Sequence, residues 1–257
     1  MTAMFSSFYN TRFVGRNRRI LGKVQSPTRI LMTTKDHGES TSYSTINLLI
    51  PSAEDMEEVG ALLSALVLAS VEDRESDSSS SHKLGRTICL SGDLGAGKTA
   101  FSRGFIRAAV GDDQHRVTSP TYLLDNTYLA KPSSRGGSQI EIHHMDLYRL
   151  MSPSNDKLPV RETNEALKPL NLQHVFQNCI SLIEWPSRLG EFTPTERLDI
   201  DIRMQSGSDS EILDEPEDDD RPRKMKLVPH GGWWRNLMKE IIDEGYVDDL
   251  ILRQEDE

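Results

Sequence analysis

Apolar residues recur along this chain in two periods, and the alternation between them lays out the expected elements. Ile46-Asn47-Leu48-Leu49-Ile50 reads as a first strand. Pro51-Ser52 then opens a helix, with Ser52 as N-cap and Asp55 at the capping-box position. Met56, Val59, Leu62, Leu63, Leu66 and Val67 fall at helical spacing, which predicts one core-facing side. Residues 70–85 are polar and low in complexity, and are expected to be a mobile linker. Thr87-Ile88-Cys89-Leu90 is a second strand-like run, followed by a helix-forming stretch from Ala100 to Arg107 that ends near Gly111, a C′ glycine. Val117 to Thr121 reads as a loop, and Tyr122 to Leu129 alternates towards a strand. A Pro/Ser/Gly turn spans 131–139, and Ile140 to Tyr148 is the returning partner. A loop at 152–160 precedes a helix at 162–178. Ile180-Ser181-Leu182-Ile183 is a short buried strand. Leu198 to Met204 and Lys224 to Val228 complete the strands, and Trp233 to Asp243 is a closing amphipathic helix. Strands interspersed with helices predict one α/β domain over 46–245, a largely parallel central sheet flanked by helices.

Between the second strand and the helix after it lies Gly92-Asp93-Leu94-Gly95-Ala96-Gly97-Lys98-Thr99, a complete G-x-x-x-x-G-K-[ST] pattern. Glycines let successive backbone N–H groups turn inward on a phosphate, and the helix start adds its positive dipole end. Residues 92–100, closing with Ala100, are therefore the expected ATP-binding loop of a P-loop NTPase-like fold. Lys98 is placed to reach the β- and γ-phosphates, and the Thr99 hydroxyl to ligate Mg²⁺.

Charge is distributed unevenly. The net charge is −10, but residues 209–220 alone carry eight acids and no base, an acidic loop within the flexible insertion expected at 205–223. Residues 246–257 read as an acidic tail. Residues 1–35 hold seven Lys/Arg and no acid, in a Ser/Thr-rich setting. That is the composition of an organelle transit peptide, mitochondrial or plastid, or of a disordered basic leader on a cytoplasmic protein. No apolar run approaches the roughly 18 residues of a membrane span, so no membrane association is expected. Cys89 and Cys179 both sit in apolar runs and read as small core residues. His143 and His144 are read as structural, because no further Cys/His cluster gives zinc-site spacing.

Three further motifs follow the loop in order: Ser119-Pro120-Thr121, His144-Met145-Asp146-Leu147-Tyr148-Arg149-Leu150 and Ile183-Glu184-Trp185-Pro186. With GDLGAGKT they resemble the TsaE (YjeE) family pattern over roughly residues 46–240. The resemblance implies an ATPase that works with TsaD-type and TsaB-type partners in making threonylcarbamoyladenosine in tRNA. Its own turnover would be weak and would sustain that of the partner complex. It also implies that Glu184, at the end of an apolar strand, holds Mg²⁺ beside Thr99; a strand-end surface acid is the plainer alternative. Asp146 would position or deprotonate water; a strand cap or a pair with Arg149 is the plainer alternative. Ser119, Pro120 and Thr121 would form a switch loop or a simple turn, and Trp185 a gate, a partner contact or core. Three insertions (70–85, 152–160 and 205–223) depart from a compact member, and the family's adenine-proximal Thr falls at Met56.

Competing classes lack their signatures. No Asn-Lys-x-Asp reads guanine, and no Leu-Ser-Gly-Gly-Gln-like segment marks an ABC-type ATPase. A small-molecule P-loop kinase and a non-hydrolysing, ATP-locked assembly factor stay open. The folded part is expected to carry no basic run outside the leader, so tRNA is expected to be met through the partners.

Overall fold

The computed structural model describes residues 45–75, 85–131, 139–150, 160–205 and 221–251. Among these residues seven strands and five α-helices follow one another in the order β1 (Ile46–Ile50), α1 (Ala53–Glu75), β2 (Arg86–Ser91), α2 (Lys98–Val110), β3 (Asp125–Leu129), β4 (Glu141–Asp146), α3 (Val160–Leu167), α4 (Leu172–Asn178), β5 (Ile180–Glu184), β6 (Arg197–Met204), β7 (Arg223–His230) and α5 (Gly232–Asp243). The strands form one sheet in the order β1-β7-β6-β2-β5-β4-β3. β6, β2, β5 and β4 are mutually parallel, whereas β7 and β3 run antiparallel to their neighbours. The centre is parallel, as expected, and antiparallel pairing enters only towards the edges.

A large core lies between the sheet and α1, α2 and α5, and takes in all six of the α1 positions read from the helical spacing. A smaller core around Met145, Leu147, Leu172, Val175 and Ile183 lies under α3 and α4. α1 starts as its sequence directs: the Ser52 hydroxyl accepts from the Asp55 N–H at 3.1 Å and donates to the Asp55 carboxylate at 2.6 Å. α1 and α2 cross in close contact. A Cβ on Gly104 would lie 1.9 Å from the Glu57 carbonyl oxygen, and one on Gly60 would lie 2.2 Å from that of Phe101. Arg103 and Arg107 pin the crossing through Glu57 at 2.8 and 2.9 Å.

The boundaries differ from the sequence reading at several points. α1 continues to Glu75, so the first part of the stretch expected as linker is helix, and residues 76–84 lie outside the described ones. The 162–178 helix is broken: Pro169 falls in a 3₁₀ turn and Asn171 takes a left-handed conformation, which separates α3 from α4. β3 begins only at Asp125, because Pro120 starts a turn that leaves Tyr122 and Leu123 exposed. The expected acidic tail starts folded. Val247 and Leu250 are buried and Ile251 bridges to Leu48 on β1, because the apolar positions between the acids find the sheet edge. The 1–35 leader, the 209–220 acidic run and the loop at 152–159 lie outside the described residues. No helix among the described residues is long and apolar enough to cross a membrane.

Candidate active site

Parallel pairing sets Leu90, Glu184 and Asp146 level with one another at the carboxyl ends of β2, β5 and β4. In an open α/β sheet this is the edge where ligands bind. The chain leaves β2 through the Gly92–Gly97 turn and enters α2 at Lys98. Gly92, Gly95 and Gly97 all have positive φ (138°, 80° and 109°), which a side chain would oppose. A Cβ on Gly95 would meet nothing within 4 Å. No side chain caps the α2 N-terminus, so its first N–H groups stand at the loop without a protein acceptor from a cap.

Around this loop the site assembles from residues far apart in sequence. The Thr99 hydroxyl donates to the Glu184 carboxylate, at 3.0 Å from Oε1 and 3.1 Å from Oε2. His144 Nε2 lies 2.9 Å from Glu184 Oε1, with both side chains buried. With Glu184 ionised, Nε2 carries the proton and donates. His144 Nδ1 is buried and has no hydrogen-bond partner among the described residues. His144 is thus no bystander: it fixes the orientation of the carboxylate that faces Thr99. The sequence signal was available, since His144 is the first residue of the motif that ends in Arg149-Leu150.

Asp146 is equally engaged. Its Oδ2 accepts from the hydroxyls of Ser119 and Thr121, the latter at 2.6 Å, and its Oδ1 accepts from the Tyr148 N–H at 2.9 Å. The Ser119-Pro120-Thr121 motif therefore closes on Asp146, with Pro120 buried between the two hydroxyls. Arg149 does not pair with Asp146; its guanidinium stacks over the Tyr122 ring, 5.0 Å from the centroid.

Lys98 Nζ donates to the carbonyls of Gly92 and Asp93 at 2.7 and 2.6 Å, and sits 4.1 Å from the Trp185 ring centroid. Burial pulls the Lys98 ammonium below its ordinary pKa, against the opposing fields of Glu184, Asp146 and Asp93. Trp185 is half-buried, stacks on Tyr148 at 5.1 Å and has φ 62°. That backbone is strained for a bulky residue, and it turns the indole back over the lysine immediately after Glu184.

Met56 is fully buried, as its helical spacing predicts, with Cε 3.4 Å from where a Gly97 Cβ would be, so it packs against the loop. One placement was not legible in the sequence. Arg223, at the start of β7, is buried with Nε 3.7 Å from the same point. It belongs to a basic run, Arg221-Pro222-Arg223-Lys224-Met225-Lys226, which lies outside the leader. Burial of Arg223 and Met225 keeps that run from presenting one continuous basic face.

The donor set fits a magnesium-bound nucleotide: a glycine loop with uncapped helix N–H groups, a lysine within it, and a hydroxyl–carboxylate pair of hard oxygen ligands. Fold and site define a P-loop NTPase-like protein. A family model described as "Threonylcarbamoyl adenosine biosynthesis protein TsaE" matches residues 50–212, more than half of the chain. The chain is similar to the tRNA threonylcarbamoyladenosine biosynthesis protein TsaE of Bacillus subtilis, 33% identical over 132 residues that cover 51% of this chain and 69% of the relative. Its counterpart in Rickettsia bellii is 31% identical over 117 residues, 46% of this chain and 68% of the relative. Among solved structures, YdiB of Bacillus subtilis aligns with a TM-score of 0.48 and 21% identity, covering 78% of this chain and 96% of the other. The chain belongs to the TsaE family, which acts in tRNA threonylcarbamoyladenosine biosynthesis.

Proposed function

We propose that this protein is the ATPase subunit of that machinery, slow alone and stimulated by TsaD-type and TsaB-type partners. The observation that carries this reading is the convergence of Lys98, Thr99, Glu184 and Asp146 on one loop at the carboxyl ends of β2, β5 and β4. Residues 92–100 would hold the triphosphate, and Thr99 and Glu184 the Mg²⁺. Bound Mg²⁺ would supply charge neutralisation at the β- and γ-oxygens. Lys98 would leave the Gly92 and Asp93 carbonyls for phosphate oxygens, while His144 keeps Glu184 aimed at the metal position.

Asp146 would orient the attacking water. Ser119 and Thr121 engage its Oδ2 and the Tyr148 N–H its Oδ1, so release of the Ser119–Thr121 loop would free Oδ2 for that task. This supports the reading of that loop as a switch. Arginine fingers are worth about 10³ to 10⁵ in rate. Of the arginines near the site, Arg103 and Arg107 are tied to Glu57, Arg149 is stacked on Tyr122, and Arg223 is buried behind the loop and donates to the Arg221 carbonyl. Partners would complete the site, and the exposed Leu94, Tyr122 and Leu123 offer apolar surface beside it. tRNA would be met through those partners, and the basic leader would direct the chain to a mitochondrion or plastid.

Steady-state phosphate release, measured with and without a TsaD/TsaB-type pair, tests the proposal. Slow turnover alone, stimulation by the pair and loss of both in Lys98→Ala are expected. Brisk partner-free turnover, or a Lys98→Ala variant as active as the parent, overturns it.

A further inference from the structure

On the sheet face opposite α2, at the far end of β4 from Asp146, three side chains of mixed donor type converge. Glu141 and His143 are two apart on β4 and so share a face. Parallel register with β5 (Ile142 beside Ile180) brings Cys179 level with Glu141. Their ligating atoms all lie within 4.8 Å of one another: His143 Nε2 is 3.8 Å from Glu141 Oε2, and Cys179 Sγ is 3.9 Å from it. On the other side of the imidazole, Asp125 Oδ2 lies 2.7 Å from Nδ1. With Asp125 ionised, the neutral imidazole keeps its proton on Nδ1, so Nε2, the nitrogen nearer Glu141, is the one that can ligate. Nε2 is buried and makes no hydrogen bond among the described residues.

A carboxylate behind a histidine whose far nitrogen faces a thiol and a second carboxylate is the arrangement that orients a metal-bound imidazole. The geometry points to a second cation site on this protein, held by Glu141, His143 and Cys179 and suited to a borderline-soft divalent ion such as Zn²⁺. Zinc bonds of about 2.0–2.3 Å in a tetrahedron require ligand atoms roughly 3.3–3.8 Å apart. Two of the three edges are therefore already near that spacing. The third edge, His143 to Cys179, lies within 4.8 Å, so closing it needs those two side chains to approach by about 1 Å. Three protein ligands leave the fourth position to water. The soft sulfur and imidazole donors select against Mg²⁺, which separates this ion from the one expected at Thr99 and Glu184. Five residues of strand, about 16 Å, separate Glu141 from Asp146. On binding, the Cys179 S–H bond breaks, its electron pair goes to the metal and its proton to solvent, so at least one proton is released per ion.

The test uses the full-length chain, saturated with Mg²⁺-ATP to occupy the loop, and titrated with Co²⁺ as a spectroscopic probe. A thiolate-to-cobalt charge-transfer band at one equivalent, bleached by Zn²⁺, is expected. The chain has only two cysteines, so assignment is direct: Cys89→Ser should keep the band and Cys179→Ser should lose it. Glu141→Gln and Asp125→Asn should each weaken Co²⁺ binding tenfold or more while leaving near-UV circular dichroism unchanged. No thiolate band in the parent overturns the site, as does a band that survives in Cys179→Ser. Should Cys179→Ser not fold, unaltered Co²⁺ affinity in Glu141→Gln, whose side chain is exposed, is equally decisive.

Discussion

Replacing His144 by alanine isolates what orients Glu184, the carboxylate proposed to hold Mg²⁺. In the parent, Glu184 Oε1 receives the imidazole N–H at 2.9 Å and the Thr99 hydroxyl at 3.0 Å, in a pocket where His144 is fully buried and Glu184 only 3% exposed. A hydrogen bond to a charged acceptor contributes about 1.5–3 kcal/mol net, and little water can reach this one to replace it. If that orientation energy is lost only when Mg²⁺ is to be held, affinity for Mg²⁺-ATP should fall roughly 10- to 150-fold at 1.4 kcal/mol per decade. The same range is typical of deleting a partner behind a metal ligand. The loop N–H groups and Lys98 do not touch His144, so metal-free ATP binding should be unchanged. Titrating a fluorescent ATP analogue with Mg²⁺ and then with excess chelator measures both terms on the same sample. A His144→Ala protein that binds Mg²⁺-ATP like the parent would refute the orienting role. Equal losses with and without Mg²⁺ would refute it too, because they would show that the loop itself had shifted.

The two acids should behave differently: Glu184→Ala should weaken Mg²⁺-dependent binding, whereas Asp146→Ala should bind nearly normally and turn over more slowly. Matching affinity losses in those two variants would contradict the role given to Asp146. Gly104→Ala sets a methyl 1.9 Å from a backbone oxygen of α1. Overpacking of about 1–3 kcal/mol should outweigh the gain in helix propensity and lower the urea midpoint; an unchanged midpoint would mean that α1 and α2 are not held together there. Burial, with the nearby Asp199, pushes the Cys89 thiol from 9.0 up to about 12. Because the folded value is the higher one, the stability this thiol contributes is complete below pH 9 and is lost from there upwards, at no more than about 1.4 kcal/mol per pH unit. Cys89→Ala should therefore flatten alkaline unfolding between pH 9 and 11, and parallel curves for the two proteins would contradict the buried placement.

Local patterning by itself determined much of this protein. Helical spacing from Met56 to Val67 named the buried face of α1, and the capping pair Ser52/Asp55 marked its start. The glycine spacing of residues 92–97 dictated a turn with positive φ between a strand and a helix, because those needs are set by neighbours in the chain. Polar composition was a poorer guide to where elements stop. α1 runs on to Glu75 because its helical hydrogen bonds continue through polar residues, and the chain after Tyr246 folds back because Val247 and Leu250 bury against the sheet. Only the tertiary structure decided which groups meet. Thr99 reaches Glu184 across 85 residues of sequence, Ser119 and Thr121 close on Asp146, and His144 stands behind Glu184 because parallel register brings β2, β4 and β5 level. The same register carries Cys179 to Glu141 and His143, although no spacing in the sequence marks them as one set. Pairing between distant strands is fixed by the burial of whole faces, an energy summed over the sheet, and no single stretch of the chain encodes it.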